Sequence, residues 1–147
     1  MNMNRLEQNK KTIVRFFESF TMGNDFDFES NLIREDIQFI LSFARLDGLT
    51  MVKNLFQTER NVFEDLKYNI VESDVIVEEF SGAAFWNMTG KQVGTFNGVP
   101  ASLNQVNVPG ASLFSFDETG KIKEIRIQID LLSLMTQING VKKLYDF

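Results

Sequence analysis

The chain has 147 residues, 44% of them hydrophobic and 24% charged, with a formal net charge of −5, no Cys and no His. That is the length of one domain, with enough interior to fold without a disulfide or a metal staple. The acidic balance and the lack of a basic stripe argue against nucleic acid and anionic membrane surfaces as partners, and the missing His and Cys exclude a Ser-His-Asp triad, a thiolate nucleophile and a Cys-ligated zinc.

The predicted elements run from helices to strands. Leu6, Ile13, Phe16, Phe17 and Phe20 recur at helical spacing, and Gly23-Asn24 supplies a stop. Asp25 caps a short second helix carrying Phe28 and Leu32. Residues 36–43 (DIQFILSF) read as a buried strand. Asp47-Gly48 then breaks the chain before a long amphipathic helix with Val52, Leu55, Phe56 and Phe63 as its stripe. Strands are expected at 66–71 and 75–80, with Ser73-Asp74 as the turn between them. Another is expected at 82–88, ending near Thr89-Gly90, and residues 94–101, with Asn97-Gly98 and Pro100, read as a loop. Strands follow at 106–116 and 121–130, joined by the hairpin turn Asp117-Glu118-Thr119-Gly120. Residues 131–138 close the chain as a helical turn or two, stopped by Asn139-Gly140. Helices followed by an antiparallel meander mark an α+β domain over 1–147, with a core of about 5–140 and a tail at 141–147. The first residues, MNMNRLEQNKK, lack a signal peptide's apolar stretch, and no apolar run approaches the roughly 20 residues that cross a bilayer. A cytoplasmic location is expected.

Without His, acid–base chemistry falls to Asp, Glu, Tyr or Lys, with a pKa moved by burial. The last strand, KIKEIRIQID, places Glu124, Arg126, Gln128 and Asp130 on one face and Lys123, Ile125, Ile127 and Ile129 on the other. Two orientations satisfy that alternation. In one, the isoleucines meet the core and the polar face is solvated. In the other, the polar face lines an interior pocket and the isoleucines pack on a second subunit. Asp130 is then either a pocket acid–base or the N-cap of the segment from Leu131. Arg126 either orients a substrate oxygen or pairs with Asp130 or Glu124. No Asp/Glu grouping has a metal-ligand spacing, so no metal is expected.

From Asn9 to Gly140 the chain resembles the SnoaL-like polyketide cyclases and their nuclear transport factor 2-like relatives. The resemblance rests on phrases in order: residues 17–25 (FESFTMGND), residues 47–56 (DGLTMVKNLF), the series Trp86, Gly90, Gly94, Phe96, Gly98 and Pro100, the series Phe114, Phe116, Gly120, Lys121, Ile122 and Glu124, and the ending Asp130, Leu134, Gln137 and Gly140. Where many relatives have a histidine in a G-x-H-x-G phrase, this chain has Gln92, which hydrogen-bonds but does not titrate.

The resemblance implies a cone-shaped barrel of N-terminal helices on a curved, mostly antiparallel sheet, with one apolar pocket for a small, apolar or carbonyl-containing molecule. By that resemblance Asp130 is the general acid/base of a cofactor-independent cyclase or isomerase. Glu124, Arg126 and Gln128 share its pocket-facing side, and Trp86, Gln92, Phe39 and Phe114 complete the substrate site. A non-catalytic ligand-binding or interaction module is the alternative, as is an epoxide-hydrolase-like enzyme, for which Arg126 and Asp130 supply two of three required residues. A homodimer is expected through the sheet face with Ile125, Ile127 and Ile129.

Overall fold

Residues at helical spacing and residues in alternation fold as their periods dictate in a computed structural model that describes residues 3–19 and 32–142. The elements are α1 (Met3–Glu18), β1 (Ile33–Ile40), β2 (Arg45–Asp47), α2 (Leu49–Val62), β3 (Phe63–Val77), β4 (Ser81–Gln92), β5 (Gln105–Phe116), β6 (Ile122–Ile129) and α3 (Leu131–Gln137). The six strands form one open sheet in the order β2-β1-β6-β5-β4-β3. Only the β1–β6 pair is parallel. The fold is α+β: α1 packs on β3 and β4, α2 on β1, β2 and β3, and α3 on β5.

Alternation decides which side of the sheet meets the helices. Phe39, Ile125, Phe114 and Gly82 lie in one cross-strand row, and Ile37, Phe39, Phe114 and Ile125 are fully buried. Burying such side chains stabilises the fold by about 1.5–3 kcal/mol each. The opposite face carries the rows Ile76–Ala83–Leu113–Arg126 and Phe85–Ala111–Gln128. On that face Ile76, Phe85 and Leu113 stay exposed.

The buried Asn9 of α1 donates to the carbonyls of Glu78 (2.9 Å) and Glu79 (3.0 Å), fastening the helix to the β3–β4 turn. Arg5 does the same at the β5–β6 turn, donating to the carbonyls of Asp117 (2.7 Å) and Glu118 (3.0 Å). Within that turn the Asp117 carboxylate accepts from the Thr119 and Lys121 amides, which helps hold its pKa below the usual range against burial. Gly48 opens α2 at φ 96°, a left-handed conformation that favours glycine and that explains the break before the helix.

Several boundaries differ from the sequence reading. β1 begins at Ile33, and the apolar run ends in a tight reversal in which the Leu41 amide donates to the Ala44 carbonyl (2.8 Å), so Phe43 is exposed. Phe63 leaves the helix with extended dihedrals and starts β3. Ser73-Asp74 is not a turn. β3 runs through it, and pairing with β4 slips between Ile70↔Trp86 and Val75↔Ala84, leaving residues 71–74 exposed in a bulge. Residues that favour turns also suit bulges, because both leave backbone groups unpaired by a ladder. The reversal comes later, where the Glu78 amide meets the Ser81 carbonyl (2.8 Å). β4 likewise continues past Thr89-Gly90 to Gln92. The short helix expected at Asp25 lies outside the described residues, apart from Leu32, which is buried in the turn before β1. Among the described residues, no helix is long and apolar enough to cross a membrane.

Candidate functional site

The inward face of the sheet and the helices over it enclose a cavity of about 600 Å³. That is within the range of small-molecule sites. Phe16 and Phe17 of α1, Phe39 of β1 and Phe56 of α2 form much of the wall. Ile127 and Ile129 of β6, with Leu131, Leu134 and Met135 around α3, close another side. The wall is mostly hydrocarbon, so its polar groups decide the chemistry.

β6 has the orientation opposite to the one the resemblance implies. Its isoleucines look inward: Ile125 is fully buried against the Phe114 row, and Ile127 and Ile129 line the cavity. Glu124, Arg126, Gln128 and Asp130 therefore lie on the outer side, and none of them lines the cavity. Arg126 Nε donates to Glu124 Oε1 at 2.8 Å in an exposed pair, leaving Gln128 in solvent. Asp130 is exposed and is the N-cap of α3: its Oδ1 accepts from the Ser133 amide at 2.9 Å. The physical reason is simple. Three isoleucines gain most by leaving water, and the inward side of this strand offers them the core and the cavity wall. Replacing Asp130 with Ala is expected to cost about 0.5–2 kcal/mol of stability through loss of the cap. It leaves ligand binding in the cavity unchanged, as chemical denaturation and a binding titration would show.

The remaining expected site residues divide. Trp86 and Phe39 line the cavity. Phe39 stands edge-on to Phe56, with centroids 5.6 Å apart. Phe114 lies beneath the cavity in the core, edge-on to Phe16 and Phe17. Gln92 is fully buried but spent on structure: its Nε2 donates to the carbonyls of Gly94 (3.1 Å) and Val99 (3.2 Å), and its Oε1 accepts from the Ser102 amide (2.9 Å). It clamps the 94–102 loop, which sends Phe96 to the cavity and against Phe63.

Among the described residues, the carboxylic acid lining the cavity is one the sequence reading did not select. Glu59 of α2 lines the wall, and Tyr68 of β3 donates its hydroxyl to Glu59 Oε2 at 2.5 Å. Burial pushes the Glu59 carboxyl up to about 7, and the Tyr68 bond restrains the rise. Burial and the neighbouring carboxylate push the Tyr68 phenol well above its ordinary range, so it stays a donor. The helix-to-strand junction at Phe63 makes the pair, folding β3 back beneath α2. One signal was available in the sequence. Glu59 sits three residues after Phe56 and four before Phe63, within an apolar stripe where a carboxylate is expensive.

Tyr68 leads across the sheet to a second polar pair. Its ring stands edge-on to Trp86, with centroids 5.2 Å apart, and Trp86 Nε1 donates to Ser112 Oγ at 2.9 Å. The indole can reach Ser112 because its neighbour across the β4–β5 ladder is Gly110. A methyl group there would overlap the indole's six-membered ring. Among the described residues no three acidic side chains converge as a metal site requires.

Residues 11–138 match the family of SnoaL-like polyketide cyclases. No curated protein matches the chain. Among solved structures, the chain is similar to a protein of Jannaschia sp. CCS1 assigned as a SnoaL-like polyketide cyclase. The two are 25% identical with a TM-score of 0.81, over 96% of this chain and 98% of that one. It is also similar in fold to AclR of Streptomyces galilaeus, assigned as a hydroxylase, at 18% identity and a TM-score of 0.81 over 96% of this chain and 87% of that one. IdmH of Streptomyces antibioticus, assigned as a polyketide cyclase, is 19% identical with a TM-score of 0.76 over 90% and 99%.

Proposed function

The chain belongs to the SnoaL-like polyketide cyclase family, and from that premise we propose that it binds a small, largely apolar carbonyl compound and moves a proton on it with Glu59. The observation that carries this reading is the Glu59 carboxyl in a hydrocarbon-walled cavity, held by Tyr68, where burial pushes it up to about 7. A base works best when its pKa is near the working pH.

In the reaction, the Glu59 carboxylate takes a proton from the carbon beside the substrate's carbonyl. The resulting enolate forms a carbon–carbon bond within the same molecule or is reprotonated at another carbon. The carboxyl then returns its proton to the new alkoxide or to that carbon. Cyclisation and isomerisation both balance this way, with no cofactor consumed. Tyr68 holds one carboxylate oxygen and leaves the other free to work.

The test is a thermal-shift screen of uncharged ketones, followed by turnover assays of every hit on the wild type and on Glu59→Gln. Binding kept in both and turnover lost in the variant are expected. Equal turnover in the two contradicts the proposal. Binding without turnover in either makes the cavity a ligand store.

The reading extends to a homodimer, through the outer face of the sheet rather than through the isoleucines of β6. Ile76, Phe85 and Leu113 leave an apolar patch there, bordered by Asn69, Asn87 and Asn107 in the next rows. An apolar centre with a polar rim suits a self-complementary contact across a two-fold axis. Light scattering giving twice the 16.9 kDa chain mass supports it. A single-chain mass at high concentration overturns it.

A further inference from the structure

We infer that Ser112 is the hydrogen-bond donor that holds a ligand oxygen in the cavity, an inference that rests on the cavity being the ligand site. Ser112 is 4% exposed and lines the cavity on the sheet side. A hydroxyl offers one donor and two acceptor positions. Trp86 Nε1, which can only donate, occupies an acceptor position at 2.9 Å. The hydroxyl's own proton must therefore point elsewhere.

The cross-strand neighbours of Ser112 on the inward face are Ala84 and Ile127, both without polar side-chain atoms. Among the described residues, the Ser112 hydroxyl accepts from Trp86 and donates to no acceptor. A buried donor left unmade costs free energy, and such groups mark places where something else completes the bond. The open direction is the cavity. The ligand atom that fits is an acceptor without a proton of its own to place, such as a carbonyl oxygen, on a body that is otherwise hydrocarbon.

The placement also suits the proposed chemistry. The Tyr68–Trp86 ring contact links Ser112 to the Glu59 pair along the same wall. A carbonyl oxygen held by Ser112 gains negative charge when the carbon beside it loses a proton, and a fixed donor there stabilises that charge.

The test compares 1-tetralone with tetralin, which share a bicyclic hydrocarbon frame and differ by one carbonyl. Affinities for the wild type, Ser112→Ala and Glu59→Gln are read by calorimetry. The infrared carbonyl stretch of bound 1-tetralone is measured alongside. The wild type is expected to prefer the ketone by roughly 2- to 10-fold beyond the difference in transfer from water. Ser112→Ala is expected to lose that preference and to raise the carbonyl frequency, with tetralin affinity unchanged. Glu59→Gln keeps both. A preference that survives in Ser112→Ala, or equal wild-type affinities for the two compounds, overturns the role of Ser112 while leaving the cavity as the site. Failure of both compounds to bind the wild type overturns the cavity reading itself, and this inference with it.

Discussion

Glu59→Gln is expected to lower turnover by roughly 10²- to 10⁴-fold, the usual contribution of a positioned acid–base group, while making the protein more stable above neutral pH. The two effects share one cause. The carboxyl titrates near 7 in the fold against 4.5 in an unfolded chain. Between those values the folded state keeps a proton that the unfolded state has lost. The stabilising contribution is therefore complete below pH 4.5, declines as pH rises, and is gone once pH passes the folded value near 7. The gap amounts to about 3 kcal/mol at most, discounted because Glu59 is only half-buried. Gln has nearly the same size, still accepts from the Tyr68 hydroxyl, and never ionises. Its stability is expected to stay flat across that window and to exceed the wild type at pH 8.5 but not at pH 4.5, as urea unfolding at both values would show. The wild-type rate is expected to climb with pH through about 7 as the carboxylate forms. A variant less stable than the wild type at both pH values would mean that the charge at Glu59 supports the fold rather than the chemistry.

Gly110→Ala carries the second large effect, because one methyl group unseats the residue that joins the two polar pairs. The added carbon overlaps the Trp86 ring, so the indole must rotate away. Its 2.9 Å bond to Ser112 breaks and its edge-on contact with Tyr68 is lost. Overpacking of this kind costs about 1–3 kcal/mol. The chain has one Trp, so its fluorescence reports this site alone. A red-shifted emission maximum and at least tenfold weaker ketone binding, of the order expected when an aromatic pocket wall moves, are the expected results. Wild-type emission and wild-type affinity in Gly110→Ala would contradict this view of how the cavity wall is built.

How far the sequence led is clearest in particular elements. The stripe of Ile13, Phe16 and Phe17, the alternation around Val106, Val108, Phe114 and Phe116, and the Asp117–Gly120 turn are local signals, and each folded as its local chemistry requires. The direction of a strand's face is not local. The pattern of β6 is equally compatible with either orientation, and only the core and cavity on one side of the sheet chose the isoleucine side. Asp130 shows the same limit. An aspartate before an apolar helix reads as a cap or as a pocket acid, and the Ser133 amide at 2.9 Å decides for the cap. Arg126 was open to pairing with either neighbour on its strand face and met Glu124.

Glu59 was legible only as an interruption. Its place among Val52, Leu55 and Phe56 made it a carboxylate on an apolar helix face, but the partner that holds it lies on the next strand. Nothing in the spacing of Glu59 and Tyr68 shows that the chain reverses at Phe63 and brings the phenol under the helix. Ser112 was hidden for a related reason. A serine in an alternating strand is unremarkable until its neighbours prove to be Ala84, Ile127 and an indole N–H.

The functional reading depends on a carboxyl that sits inside the cavity and changes charge near neutral pH. Carbon-13 NMR of protein labelled at the Glu side-chain carboxyls, titrated from pH 3 to 10, measures that group directly. One resonance with a midpoint near 7, absent from the Glu59→Gln spectrum, is the expected result. A Glu59 resonance with its midpoint near 4.5 would place the carboxyl in ordinary solvent and contradict the assignment of Glu59 as the working acid–base.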